Sequence, residues 1–326
     1  VHLFARKPRE EMTLMRTLIA ATLISLSCIG AAQGANFSGN TGSFRVVDLT
    51  SRFLAFYEAA KTLRNGNERF AVWKDKYDFV ALPPGLPDRD ERARRMLADA
   101  WPRYADAIER IRSGPQELEP QGILEDVAAL LEIRGEIPSI SLLFYVGMFE
   151  GNAFFAPQPN DSLLVALPVE VPNLELEVSL AHELFHAVHH SLRDQGARRE
   201  VSVASLVIDE GLAMWASREL FPGRPMSTYT RGRGEWSKLC RSRLDEILQG
   251  LKRDLRRNDQ RFLNNLTVGH GVTGLKREAY CAGWHSVGAL LADGYTFAEM
   301  ARADAPDQLM EHAISLLGSS GSSAAQ

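Results

Sequence analysis

The sequence predicts an α+β fold: a mainly helical unit with a small antiparallel or mixed sheet placed just ahead of one chemically distinctive helix. Three observations predict it. Long stretches on either side of the middle carry apolar residues at helical spacing, broken by clusters of Pro and Gly. Three short runs between residues 137 and 168 are rich in β-branched and aromatic side chains. Directly after them, His182-Glu183-Leu184-Phe185-His186 lies in an amphipathic stretch that contains neither Pro nor Gly.

The elements are taken in chain order. Met15-Arg16, an apolar run over 17–30 and the small residues 31–35 have the layout of a secretory signal peptide, so 1–34 is expected to be a leader, with 1–14 an upstream extension. The apolar run is too short for a membrane span of about 20 residues. A periplasmic or secreted protein is expected, with a lipid anchor at Cys28 ranked second. Residues 44–135 are expected to be a helical N-terminal lobe, with helices over 49–63, 68–79, 88–112 and 116–134. Pro102 is expected to kink or split the third. Strands are expected over 139–147, 152–156 and 162–167. Asn173 is a plausible cap for the motif helix, in which Leu180, Leu184, Val188 and Leu192 repeat every four residues and face the core. A second helix over 199–220 ends at Phe221-Pro222-Gly223, a helical cap occupies 232–317, and 319–326 is a Ser-rich flexible tail. Residues 136–318 form the chemically active region, continuous with the N-terminal lobe.

The HExxH motif carries the chemistry. Side chains four apart on a helix share a face, about 5–6 Å apart at Cβ. His182 and His186 can therefore both reach one Zn²⁺. Glu183, swung about 100° round the helix, is placed to hold a water and take its proton. A catalytic zinc takes a third protein ligand. Glu210 falls in the middle of the next helix among Leu206, Val207, Ala213 and Met214, where a carboxylate is costly unless it is paired or binds a metal. Asp209 and Asp194 are the alternatives. His189 and Leu192 occupy the positions where a metzincin would carry Gly and His.

With His182-Glu183-xx-His186 followed by Glu210 in a Glu-Gly-Leu-Ala context, the chain resembles gluzincin-type zincin metallopeptidases, and within them the predicted zinc-dependent proteases of bacteria. The resemblance spans roughly 137–300. It implies a zinc-dependent hydrolase of peptide bonds, with peptide or protein substrates. It also implies a small sheet whose edge strand binds extended peptide through its backbone; residues 151–155, with Asn152, Ala153 and Phe154, are the expected edge. Thermolysin-like relatives hold the first His with an Asp four residues after the ligand Glu; here that position is Met214, so the partner of His182 is unassigned.

Such peptidases need a donor for the oxyanion. Tyr280 and His285, in Tyr280-Cys-Ala-Gly-Trp-His285, are the candidates; His189 and His190 read as a helix face. Cys240 and Cys281 remain once the leader is removed, and in an oxidising compartment a bridge between them is favoured over two buried thiols, worth roughly 3–4 kcal/mol in the chain-entropy model. A net charge of −4 leaves no basic footprint for nucleic acid. Two classes stay open: a zinc peptidase, or a non-catalytic zincin-like module that binds a peptide or partner. A zinc hydrolase of a non-peptide amide lies between them. A binding module has no need of Glu183.

Overall fold

The structure, a computed structural model, describes residues 34–39, 42–82, 86–115, 118–135, 137, 139–158, 162–172, 175–193, 201–232 and 234–323. Its sheet is built from β1 (Gly34–Gly39), β2 (Gly42–Asp48), β3 (Ile140–Tyr145), β4 (Phe154–Pro157) and β5 (Leu163–Pro168). The strand order is β1-β2-β3-β5-β4. β3 and β5 run parallel at its centre, with Leu142 opposite Val165. Every residue of these two strands is buried. Their runs Ile-Ser-Leu-Leu-Phe-Tyr and Leu-Leu-Val-Ala-Leu-Pro are almost continuously apolar, as suits strands covered on both faces. β4 runs antiparallel to β5, with Phe155 opposite Val165, and ends the sheet.

The mixed sheet matches the expected fold class, and its last three strands in the chain, β3, β4 and β5, lie where their composition puts them. Two strands were not expected. β1 and β2 form an antiparallel pair, and β2 lies parallel to β3, with Val46 opposite Leu142. Residues 44–48 are therefore strand, not the start of the helical lobe. Phe44 and Val47 are buried by this pairing, which a local pattern of five residues does not reveal.

Four helices come next: α1 (Thr50–Ala60), α2 (Gly66–Lys76), α3 (Arg89–Ser113) and α4 (Pro120–Leu130). α3 is continuous through Pro102, so the expected split does not occur. Ala93, Leu97 and Ala100 before the proline, and Tyr104, Ala107 and Ile111 after it, stay on one buried stripe. That packing outweighs the backbone bond that Pro102 removes. Phe53 of α1 meets Tyr104 of α3 and Tyr77, with ring centres 4.8 and 5.4 Å away. Both tyrosines then hold the end of β3. The Tyr77 hydroxyl donates to Val146 O at 2.9 Å and accepts from Val146 N at 2.7 Å. The Tyr104 hydroxyl donates to Gly147 O at 2.8 Å. Buried side chains from Phe44 to Ile314 form one apolar cluster, so these helices share a core with the sheet and with the C-terminal helices.

The motif helix is α5 (Leu176–Arg193), packed on β4 and β5. Asn173, its expected cap, lies outside the described residues. α6 (Val203–Leu220) starts at a capping box in which Ser202 and Ser205 bond each other's backbone N–H. Then come α7 (Met226–Thr230), α8 (Trp236–Ser242), α9 (Leu244–Lys252), α10 (Gln260–Thr267), α11 (Glu278–Ala292), α12 (Phe297–Ala301) and α13 (Pro306–Ser323). α13 carries its helix through 319–323, where the Ser-rich composition predicts a tail.

α6 and α11 touch backbone to backbone. A Cβ on Gly211 would stand 2.5 Å from Gly283 O, and one on Gly283 would stand 2.5 Å from Val207 O. Cys240 of α8 and Cys281 of α11 are joined by a disulfide, with Cα atoms 5.6 Å apart. No helix among the described residues is long and apolar enough to cross a membrane.

Candidate metal centre

α5 and α6 lie side by side and bring three ligand atoms together. His182 Nε2 is 3.1 Å from His186 Nε2. Glu210 Oε2 lies 3.4 Å from the first and 3.7 Å from the second. Three ligands at about 2.0–2.1 Å from one tetrahedral ion would be roughly 3.3–3.4 Å apart, so the spacing fits. All three side chains are largely buried. Glu210 Oε2 makes no hydrogen bond, its approaches to the two rings being too long or poorly directed for one. A buried carboxylate oxygen in that condition is costly unless a cation meets it. The His/His/Glu set is compatible with zinc.

Further groups lie behind His186. His186 Nδ1 lies 3.5 Å from Asp209 Oδ2. The other oxygen of Asp209 is 2.5 Å from His189 Nδ1, and His189 Nε2 is 2.8 Å from Ala301 O. Both nitrogens of His189 thus face acceptors, and the ring ties α5 to α6 and to the end of α12. Burial alone would push the Asp209 carboxyl up, but His186 and His189 beside it hold it well below the usual carboxylate range. Burial likewise works to lower His186, and the Asp209 and Glu210 carboxylates outweigh it and raise it well above the ordinary imidazole value. Burial lowers His182, whose Nδ1 has no hydrogen bond. Glu210 is held below the carboxylate range because the two histidines overcome the cost of its burial.

Glu183 stands one residue along α5 from His182 and is largely buried. Its Oε1 is 3.1 Å from Nη2 of Arg231, at the end of α7.

Residues 150–308, just short of half the chain, match a family model described as "Predicted Zn-dependent protease (DUF2268)". The likeness is to the predicted Zn-dependent proteases. No curated protein sequence matches the chain. A solved structure of an aminopeptidase N family protein from Idiomarina loihiensis is similar over 87% of this chain and 41% of its own, at 10% identity and a TM-score of 0.34.

The stretch that matches the predicted Zn-dependent proteases runs from the edge strand to α13 and includes every candidate site residue. Asn152 and Ala153 precede β4, Phe154 is its first residue, and all three are buried; the Tyr145 hydroxyl donates to Asn152 O. Tyr280 shares the α6-facing side of α11 with Gly283 and Val287, and the Arg277 guanidinium covers its ring at 3.6 Å. His285 stands two residues, about 200°, round α11 from Gly283. It shares the Cys281 side, which faces α8, and Arg241 of α8 is its charged neighbour. Burial and that cation lower the pKa of His285. The reading of His189 as a helix face fails: it is buried, because Asp209 and Ala301 O close over it. Arg231 carried no local signal. Asp209 did, as an acid beside Glu210 on an apolar helix, though for a different role.

Proposed function

We propose that this protein is a zinc-dependent peptidase acting in the periplasm or outside the cell. The observation that carries the reading is the convergence of His182 Nε2, His186 Nε2 and Glu210 Oε2, with the Glu183 carboxylate one residue along the same helix. His182, His186 and Glu210 would hold the ion. When bound, zinc supplies a Lewis acid that lowers the pKa of water towards about 7 and polarises a carbonyl.

The rest falls to the chain's own residues. β4 offers an outer edge along which an extended peptide can pair, with Asn152 and Ala153 leading into it and Phe154 its first residue. Glu183 takes the proton of the attacking water and later gives it to the leaving amine. Tyr280 is the side chain from α11 proposed to meet the carbonyl oxygen. Asp209, braced by His189, orients the ring of His186. The disulfide supports an oxidising compartment.

Two measurements test this. The purified protein should hold about one zinc per chain by elemental analysis, and it should cleave a mixed peptide library until a chelator is added. Glu183→Gln should keep its zinc while cleavage falls about 10²–10⁴-fold, the usual worth of a general base. Cleavage by Glu183→Gln at the wild-type rate would remove Glu183 from the mechanism. A protein with no zinc and no cleavage would end the peptidase reading.

A further inference from the structure

We propose that Arg231 is a further catalytic side chain of this centre, acting beside Glu183 and Tyr280: its guanidinium binds the negatively charged tetrahedral form of the scissile carbonyl. The proposal rests on the peptidase reading above. Arg231 lies 48 residues from Glu183 in sequence, yet its Nη2 is 3.1 Å from Glu183 Oε1, and both side chains are largely buried at 16% and 6% exposure. A buried cation is costly to keep, and the carboxylate that balances it here is the group assigned to take the proton.

The backbone that aims Arg231 is itself held in a costly shape. Arg231 has φ of +51°, in the left-handed region that a side chain disfavours. Four contacts fix the turn around it. The Thr230 hydroxyl donates to Met226 O at 2.9 Å and accepts from Gly232 N at 3.3 Å. Arg277 Nη2 donates to Thr230 O at 2.9 Å. Gly232 lies against the Trp236 ring, where a Cβ would come within 2.3 Å of a ring carbon. Arg277 is also left-handed, at φ +62°, and its guanidinium covers Tyr280. Residues kept in such conformations by their surroundings gather at functional sites.

The chemistry explains why the pairing with Glu183 matters. As water attacks, one O–H bond breaks and its proton goes to Glu183. The water oxygen bonds to the carbonyl carbon, and the π pair moves onto the carbonyl oxygen. Before attack, the charge on Arg231 is balanced by Glu183. After it, Glu183 is neutral and the negative charge lies on the tetrahedral group, within reach of the same guanidinium. An interaction gained only on that path accelerates the reaction, whereas one made equally with substrate does not.

The test is a double-mutant cycle read by calorimetry on the zinc-loaded protein. The probes are a phosphinic peptide built on the best-cleaved library sequence, which carries a tetrahedral anion, and the matching neutral ketomethylene peptide. Arg231→Met keeps the apolar stem; it should bind the phosphinic peptide about 10–100-fold more weakly, the usual worth of a charge-assisted hydrogen bond, with the ketomethylene peptide almost unaffected. Zinc content equal to wild type confirms an intact site. Arg231→Lys should recover part of the loss. In the Glu183→Gln background, where no carboxylate competes, Arg231→Met should cost at least as much. If it costs nothing there, Arg231 serves only to hold Glu183 and the proposal fails. If both probes weaken equally, the proposal also fails. A zinc-loaded wild-type protein that cleaves no peptide of the library overturns the peptidase reading itself.

Discussion

At the scale of single residues, the site is organised by what sits behind the ligands. The carboxylate of Asp209 spans His186 and His189, and His189 reaches on to Ala301 O, so the ring of His186 is set by two helices and a helix end. Groups that orient a ligand imidazole usually carry 10–100-fold in metal affinity. Asp209→Asn keeps the shape and loses the charge. We therefore expect its zinc dissociation constant, measured by competition with a chromophoric chelator, to rise about 10–100-fold. An unchanged constant would mean that Asp209 does not orient His186. The same substitution should leave the fold intact, since the side chain is over a quarter exposed.

At the scale of elements, the placing of Glu210 depends on how closely α6 can approach α11. Gly211 follows Glu210 directly, and a methyl there would meet Gly283 O at 2.5 Å and a Val287 methyl at 2.6 Å. The oxygen belongs to a helix backbone and cannot rotate away. Gly211→Ala must push the helices apart, and overpacking of this kind costs about 1–3 kcal/mol or more. It should also weaken zinc binding, because Glu210 moves with its helix. Gly122→Ala is the control: it lies in α4 with nothing within 4 Å of the added carbon. It should be neutral or stabilising by about 0.4–1 kcal/mol. Urea denaturation of both variants checks the pair; a Gly211→Ala protein as stable as wild type would show that the two helices can separate at no cost.

At the scale of the molecule, one buried residue links α3 to the segments that follow β3 and β5, and its carboxyl makes stability depend on pH. Glu170 follows β5 and is fully buried. Its two oxygens accept from Gly147 N at 2.9 Å and Phe149 N at 3.1 Å. Arg110 of α3 donates to its carbonyl at 2.7 Å. Burial raises its carboxyl from an ordinary 4.5 to about 7, helped by nearby Glu150 and opposed by the two backbone donors. The folded protein therefore keeps a proton that the unfolded chain releases over this range. Stability falls as pH rises from about 4.5 to 7, by roughly 3 kcal/mol in all. Glu170→Gln has no such proton. The stability of wild type relative to Glu170→Gln should thus be greater at pH 4.5 than at pH 8 by about that amount. An equal difference at both ends would show that Glu170 does not titrate in this window.

The sequence by itself determined what local geometry dictates. Helix pitch alone sets His182 and His186 on one face and turns Glu183 off it. An apolar setting alone marks Glu210 as an acid in need of a partner. The short β-branched runs place β3, β4 and β5 by their length and composition, and the disulfide joins the two cysteines named as a pair. The folded molecule was required for everything that depends on distant segments meeting. β2 is a strand because β3 lies beside it. His189 is buried because Ala301, 112 residues on, closes over it. His285 faces α8 because the glycines of α11 are spent on α6. Arg231 meets Glu183 across 48 residues through a left-handed turn held by its neighbours. Bond geometry repeats every few residues and can be read along the chain. The packing of one helix on another depends on every side chain between them, and only the tertiary structure decides it.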